Sequence, residues 1–492
     1  MALIELNIPA GFRDVGTDLE SEGRWLDGNL VRWREGSLRP VGGWSERINA
    51  AYTYAPRGMI AWEDNSGNRW IGAGTYEKLY VSTAGGVTSD ITPAGFTTGA
   101  EDASVNTGYG GGFYGLGYYG TPRPDTGNFS ECTTWSLDTY GQYLVGCSMD
   151  DGKLYEWQLD TGTPAAAISN APTDCVGLVT TEERIIFALG AGGDPRKVQW
   201  CDFEDNTTWT AASTNQAGDV TLQTPGRIQA GVRMQGQTLI LTDQDAFRAI
   251  YTGPPFVYEF ERVGSACGVV SRLGMADTPA GVFWMGQQGF FVYDGSRVNE
   301  VPCDVWDRVF TDRNTAQVSK IWAVPNGQNG EVWFFYPSKA SNEIDKYVAY
   351  NYREGHWTVG DLDRTSGVDR GIFRTPIWAD DAGNVYDHET GYSYDGATVY
   401  AETGPLKIGA GDNLAVATRL IPDELTQGDA TATFKTRYFP NGDETTHGPY
   451  SLANPTSVRF QGRQTRMRVT GSEATDWRVG NMRVEVKQGG KR

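Results

Sequence analysis

The stretches WEDNSGNRWIGAGTYEKLYVS (residues 62–82) and WSLDTYGQYLVGCSMDDGKLYEW (residues 135–157) share one grammar. Each runs from a Trp through a Gly-closed turn into an apolar strand, WIG or LVG, and then through a second turn into a strand carrying Lys-Leu-Tyr. Short runs of β-branched and aromatic residues, punctuated by Asp, Asn and Gly, make an antiparallel meander. Weaker copies follow at residues 180–202, 236–253, 281–298, 330–357 and 377–396. No such unit can bury both of its faces alone. Seven in one chain therefore predict radial repetition, an all-β fold built on a β-propeller of about six or seven blades.

Composition agrees, since 63 Gly, 24 Tyr and 16 Trp among 492 residues suit many short strands joined by tight turns. One segment differs. In residues 304–322, Val305, Trp306, Val309 and Phe310 fall on one face at helical spacing, which predicts a helix packed on a sheet. Past residue 415 the period becomes two: Phe434, Thr436 and Tyr438 alternate with Lys435 and Arg437, and Met482, Val484 and Val486 with Arg483, Glu485 and Lys487. The expected organisation is an N-terminal strand segment over residues 1–50 closing or flanking the propeller, the propeller over 51–414 with a Gly/Tyr-rich insertion at 107–124, and a small C-terminal antiparallel β-domain over 415–492.

The net charge of −19 opposes ordinary nucleic-acid binding, which needs clustered Lys and Arg. It does not oppose a conduit along which DNA slides, because a wall that repels phosphate cannot trap it. The charge is split, for residues 459–492 hold nine Lys or Arg against three Asp or Glu. An assembly interface is expected there, on Arg459, Arg463, Arg466, Arg468, Arg478 and Arg483. The first twenty residues lack the basic start and apolar stretch of an export signal, and no apolar run approaches the roughly 18 residues of a spanning helix. The six cysteines are scattered without a CxxC pair and read as reduced core residues.

Chemistry-bearing motifs are sparse. His356, His388 and His447 stand in no HxH or HExxH spacing and read as surface or turn residues. Neither a phosphate loop nor a strand–GxGxxG–helix unit occurs, and no metal or nucleotide cofactor is expected. Asp381-x-Gly383-x-x-Tyr386 resembles the Asp-box hairpin of sialidase propellers, a folding device and not a catalytic one. A glycan-binding or glycan-cleaving propeller is kept as the alternative function, although paired carboxylates cannot be chosen from sequence alone.

The least ordinary stretch is TGYGGGFYGLGYYGTPRP, residues 107–124, where Gly alternates with Tyr109, Phe113, Tyr114, Tyr118 and Tyr119. Its aromatics offer adaptable contact area and call for a covering partner, so these five residues join the expected interface. Three segments then carry a family resemblance: WLDGNLVRWREGSLRPVGGW (residues 25–44), the insertion's ending YGTPR (residues 119–123), and GRQTRMRVTG with WRVGNMRVEVKQGGKR near the C-terminus. Together they resemble the tail nozzle, or tail hub, proteins of short-tailed bacteriophages, related in role to packaged-DNA-stabilisation proteins. That resemblance implies a non-enzymatic virion protein forming a homohexameric ring below portal and adaptor. It also implies tail-fibre or tailspike neighbours, genomic DNA passing without specific binding, no membrane insertion, and assembly in the host cytoplasm. The run at residues 29–34 reads as an edge strand able to complete the last blade.

Overall fold

The computed structural model describes residues 2–47, 51–105, 129–409, 413–472 and 474–490. Seven four-stranded antiparallel sheets form a β-propeller. Their innermost strands are Met59–Glu63, Trp135–Tyr140, Gly177–Thr180, Ile228–Met234, Met275–Thr278, Trp322–Asn326 and Arg364–Val368. The last of these lies against the first, which closes the ring. Blade count is thus seven, at the upper end of the expectation, and each of the seven sequence units supplies the two middle strands of one blade.

Tryptophans fasten neighbouring blades. Trp135, at the start of the second blade, donates its indole N–H to the Thr75 carbonyl of the first at 2.8 Å, and Trp322 of the sixth reaches the Arg364 carbonyl of the seventh at 2.7 Å. Both indoles are buried, so each supplies apolar area and satisfies its one donor at a blade boundary.

The propeller is joined to a β-sandwich of two sheets. One has Ala2–Leu6, Met482–Gln488, Ala415–Ile421 and Thr456–Gly462 in spatial order; the other has Trp25–Asn29, Tyr400–Thr403, Gln464–Gly471, Ala430–Arg437 and Thr445–Ser451. The division therefore differs from residues 1–50, 51–414 and 415–492. Two N-terminal strands and Tyr400–Thr403 belong to the sandwich, because their apolar faces complete its core and not a blade.

Residues 29–34 do not complete the last blade either. Val31–Arg34 pairs with Ser37–Pro40 in a hairpin turned by Glu35 and Gly36, both at positive φ. The strand that closes the seventh blade is Trp44–Glu46, paired with Val385–His388. Gly42 and Gly43 make that entry possible: a Cβ on Gly43 would stand 2.4 Å from the Ser393 carbonyl oxygen, and one on Gly42 2.6 Å from the Glu389 Cα.

The expected helix over residues 304–322 is a second correction. Only Trp306–Phe310 is α-helical, and Thr315–Lys320 forms a separate 3₁₀ turn. Val305 and Val309 are buried while Trp306 is 36% exposed. The apolar face thus spans barely one turn, and Asn314 caps the next element by accepting from the Ala316 N–H.

Candidate functional site at the propeller axis and the basic sandwich

The inner strands of blades one to five surround a cavity of about 340 Å³, lined among others by Ser136, Asp138, Gln229, Arg233, Arg272 and Asp277. Asp138 accepts from the Thr180 N–H at 2.8 Å and lies 4.0 Å from Arg233. Burial raises its carboxyl above the usual range, with Arg233 opposing in part. Asp277 is raised in the same way by its enclosure. Both groups are biased toward the protonated form, as expected where charge is poorly solvated.

One end of this axis carries a strap. Between the first and second blades the chain leaves the ring, and residues around Ala103 meet the segment that precedes the sixth blade. The Gln317 amide both donates to the Ala103 carbonyl and accepts from the Ala103 N–H, each at 2.9 Å. Cys132 donates its N–H to the Ser319 hydroxyl at 3.1 Å. Lys320, with a side chain 1% exposed, donates to Asp102 at 2.6 Å and to Glu343 at 2.9 Å. Arg57 also pairs with Glu343, and Arg272 with Glu131. Burial opposes the Glu343 charge, yet Arg57 and Lys320 together hold its pKa down to about 2. Ion pairs this enclosed bind strongly only when every partner is present. The insertion bearing Tyr109, Phe113, Tyr114, Tyr118 and Tyr119 lies outside the described residues, which stop at 105 and resume at 129.

The basic C-terminal residues do not act as one patch. Arg466 pairs with Asp18 and lies 3.4 Å from Glu444. Arg468 sits 3.5 Å from the Tyr400 ring centroid and 3.5 Å from Glu402, which also receives Lys435 at 2.7 Å. Arg478 pairs with Asp476 at 2.6 Å, and the Arg463 guanidinium lies 5.5 Å from the Phe439 ring centroid. These arginines are engaged within the subunit. Arg459 and Arg483 are exposed on outward faces of the first sandwich sheet and form no ion pair among the described residues. Beside Arg459, a groove of about 540 Å³ opens between the sheets, walled by Thr436, Tyr438, His447 and Gln461.

The histidines correct the surface reading. His356 and His388 are 6% and 3% exposed. His388 accepts from Arg364 Nε at 3.0 Å and faces the Trp378 ring at 4.1 Å between centroids. Burial first, then Arg364, depress its pKa well below the ordinary value, so the imidazole is neutral. The Asp-box likeness is shifted by one residue: Asp380, not Asp381, accepts from the Asn384 N–H and side chain and from the Tyr386 hydroxyl. Asp64 does the same for Ser66, Asn68 and the Trp70 indole. Both are hairpin locks. The six cysteines are free, five of them buried. Among the described residues no group of three or more His, Cys, Asp or Glu is placed to hold a metal ion, and no helix is long and apolar enough to cross a membrane.

Sequence reasoning missed a network at the junction of the two parts. Arg32 donates to both carboxylate oxygens of Glu389, at 2.9 and 2.6 Å, and to Glu331 at 3.0 Å. All three side chains are under 10% exposed. Only the position of Arg32 inside the residue 25–44 run pointed to it.

No family model matches the chain, and no curated protein matches it. Among solved structures, virginiamycin B lyase from Staphylococcus aureus aligns over 70% of this chain and 97% of its own, at 9% identity and a TM-score of 0.43. A streptogramin B lyase gives 70%, 96%, 9% and 0.41, and the WD40 domain of Neurospora crassa Pan2 gives 72%, 95%, 9% and 0.38. The likeness is one of backbone course and brings no activity to this chain. The propeller is established by its own strand pairing.

Proposed function

We propose that the chain is a structural virion protein, the nozzle or hub ring of a short-tailed phage tail. In that role it continues the DNA channel below portal and adaptor, retains the packaged genome and opens for ejection. The observation that carries this reading is the use made of the residue 25–44 run, the segment with the family resemblance. Its Leu30, Val31 and Trp33 are buried in the core shared by propeller and sandwich, and its Arg32 enters the junction network. The motif thus serves architecture, as a subunit that must transmit position between two rigid parts requires. Its acidic balance suits a wall past which phosphate slides.

The resemblance further implies a homohexamer with adaptor and tail-fibre or tailspike neighbours. Mass measurement and negative-stain imaging of the purified chain test this. A closed ring is expected; a lasting monomer that cleaves polysaccharide overturns it.

The second reading, a glycan-binding or glycan-cleaving propeller in a receptor-binding component or sialidase-like enzyme, draws on the axial cavity. Its two carboxyls, biased toward the protonated form, and its Arg233 are groups a sugar site uses. Release of reducing ends from host polysaccharide, abolished by Asp277→Asn, would favour it.

A further inference from the structure

We infer that the subunits join edge to edge through the sandwich, the Ala2–Leu6 strand of one copy pairing with the Thr456–Gly462 strand of the next. This rests on the reading of the chain as a ring-forming subunit and names the surfaces that make the ring. The two sandwich sheets have four edges. Trp25–Asn29 lies against the sixth blade, where Asn29 accepts from the Asp361 N–H at 2.9 Å. Thr445–Ser451 contains Pro449, which has no N–H to offer a partner strand. The remaining two, Ala2–Leu6 and Thr456–Gly462, contain no proline, and among the described residues neither has a backbone partner on its far side. Unprotected edges of this kind are templates for pairing with another chain.

The two edges are complementary. In the first sheet the strands alternate in direction, so a neighbour's Ala2–Leu6 continues it antiparallel to Thr456–Gly462. Placing Glu5 opposite Arg459 sets Leu3 against Gln461 on the outward face, and Ile4 against Phe460 and Leu6 against Val458 on the inward face. Acid then meets base, and apolar meets apolar, in one register. Leu3 is 51% exposed in the isolated chain and becomes covered. Glu5 already stands opposite Arg483 within its own sheet, so the pairing places it between two arginines.

Because the two edges are different, the contact is heterologous and propagates from copy to copy, closing into a ring when the rotation permits. A five-residue strand pair alone is smaller than a standard interface. Each subunit therefore depends on both edges, one toward each neighbour.

The test uses the full chain. Leu3→Cys combined with Gln461→Cys is expected to give a ladder of disulfide-linked oligomers on oxidation, whereas either single variant gives none. Glu5→Arg and Arg459→Glu should each lower the assembled fraction at least ten-fold by light scattering, and the double reversal should restore it. If the wild type assembles but no ladder forms and the reversals assemble normally, the edge pairing is overturned and the assembly reading stands. A wild type that stays monomeric overturns both.

Discussion

The Arg32 guanidinium grips the Glu389 carboxylate through two parallel hydrogen bonds, in a site from which water is almost excluded. Arg32 comes from the N-terminal hairpin, Glu389 follows the last strand pair of the seventh blade, and Glu331 belongs to the sixth. The three side chains fix the N-terminal hairpin onto the sixth and seventh blades. A planar fork matched to a carboxylate is what Arg supplies and Lys does not.

Removing one member leaves its partners charged and buried. Glu389→Gln is therefore expected to destabilise the chain by about 3–5 kcal/mol, and Arg32→Lys by nearly as much. Thermal denaturation followed by circular dichroism checks this, with Glu63→Gln, at an exposed ion pair, as a control that should stay within about 0.5 kcal/mol.

Stability should fall with acidification in two windows. The folded-state pKa of His388 is depressed by burial and by Arg364, and that of His356 by burial. The unfolded chain thus binds protons below about 6.5 more readily than the folded chain, and stability is lost as pH falls from that point, by at most about 1.4 kcal/mol per pH unit for each histidine. Glu343 is depressed from 4.5 to about 2, so its contribution is present above 4.5 and lost as pH falls toward 2. Urea titrations at pH 7.5, 6.0 and 5.0 should show the first slope, and His388→Gln should reduce it. An unchanged slope in that variant refutes the assignment.

The strap makes a separate prediction. Gln317→Ala removes both bonds to Ala103 and should speed hydrogen exchange at Ala103 and Cys132 while leaving distant blades unchanged. Lys320→Met should do the same and also return Glu343 toward its ordinary pKa. Exchange that changes uniformly across the propeller would mean the strap is part of the global core and not a local clamp.

What could be read in the sequence follows from where burial is two-sided. The middle strands of each blade, such as Arg69–Gly74 and Glu331–Tyr336, are buried on both faces and stand out as apolar runs. Outer strands such as Thr88–Asp90 and Val298–Val301 are short and half-wet, with one paired edge only, so they carry little apolar pattern of their own. The closing strand Trp44–Glu46 pairs with residues more than three hundred positions away, which local periodicity does not encode. For the same reason the Arg32 and Lys320 networks were invisible. Charge alone suggested an interface at Arg466, Arg468 and Arg478, yet each has an acidic neighbour inside the subunit.

That last point changes how the basic end should be tested. On charge grounds alone, deleting residues 459–492 removes only an interface, but Gln464–Gly471 lies between Tyr400–Thr403 and Ala430–Arg437, and Met482–Gln488 lies between Ala2–Leu6 and Ala415–Ile421. Both sheets lose an interior strand. Val479, bonded through its N–H and carbonyl to Leu38, also holds the hairpin that carries Arg32. The deletion is therefore expected to aggregate or to unfold without a cooperative transition, and a loss of assembly in it would say nothing about an interface. Arg459→Glu with Arg483→Glu reverses charge at two exposed positions, one of them opposite Glu5, but removes no strand, so the subunit should still unfold in one cooperative transition. Calorimetry on the two variants decides: a folded, cooperative deletion would mean that the sandwich contributes little to the core, against the pairing seen here.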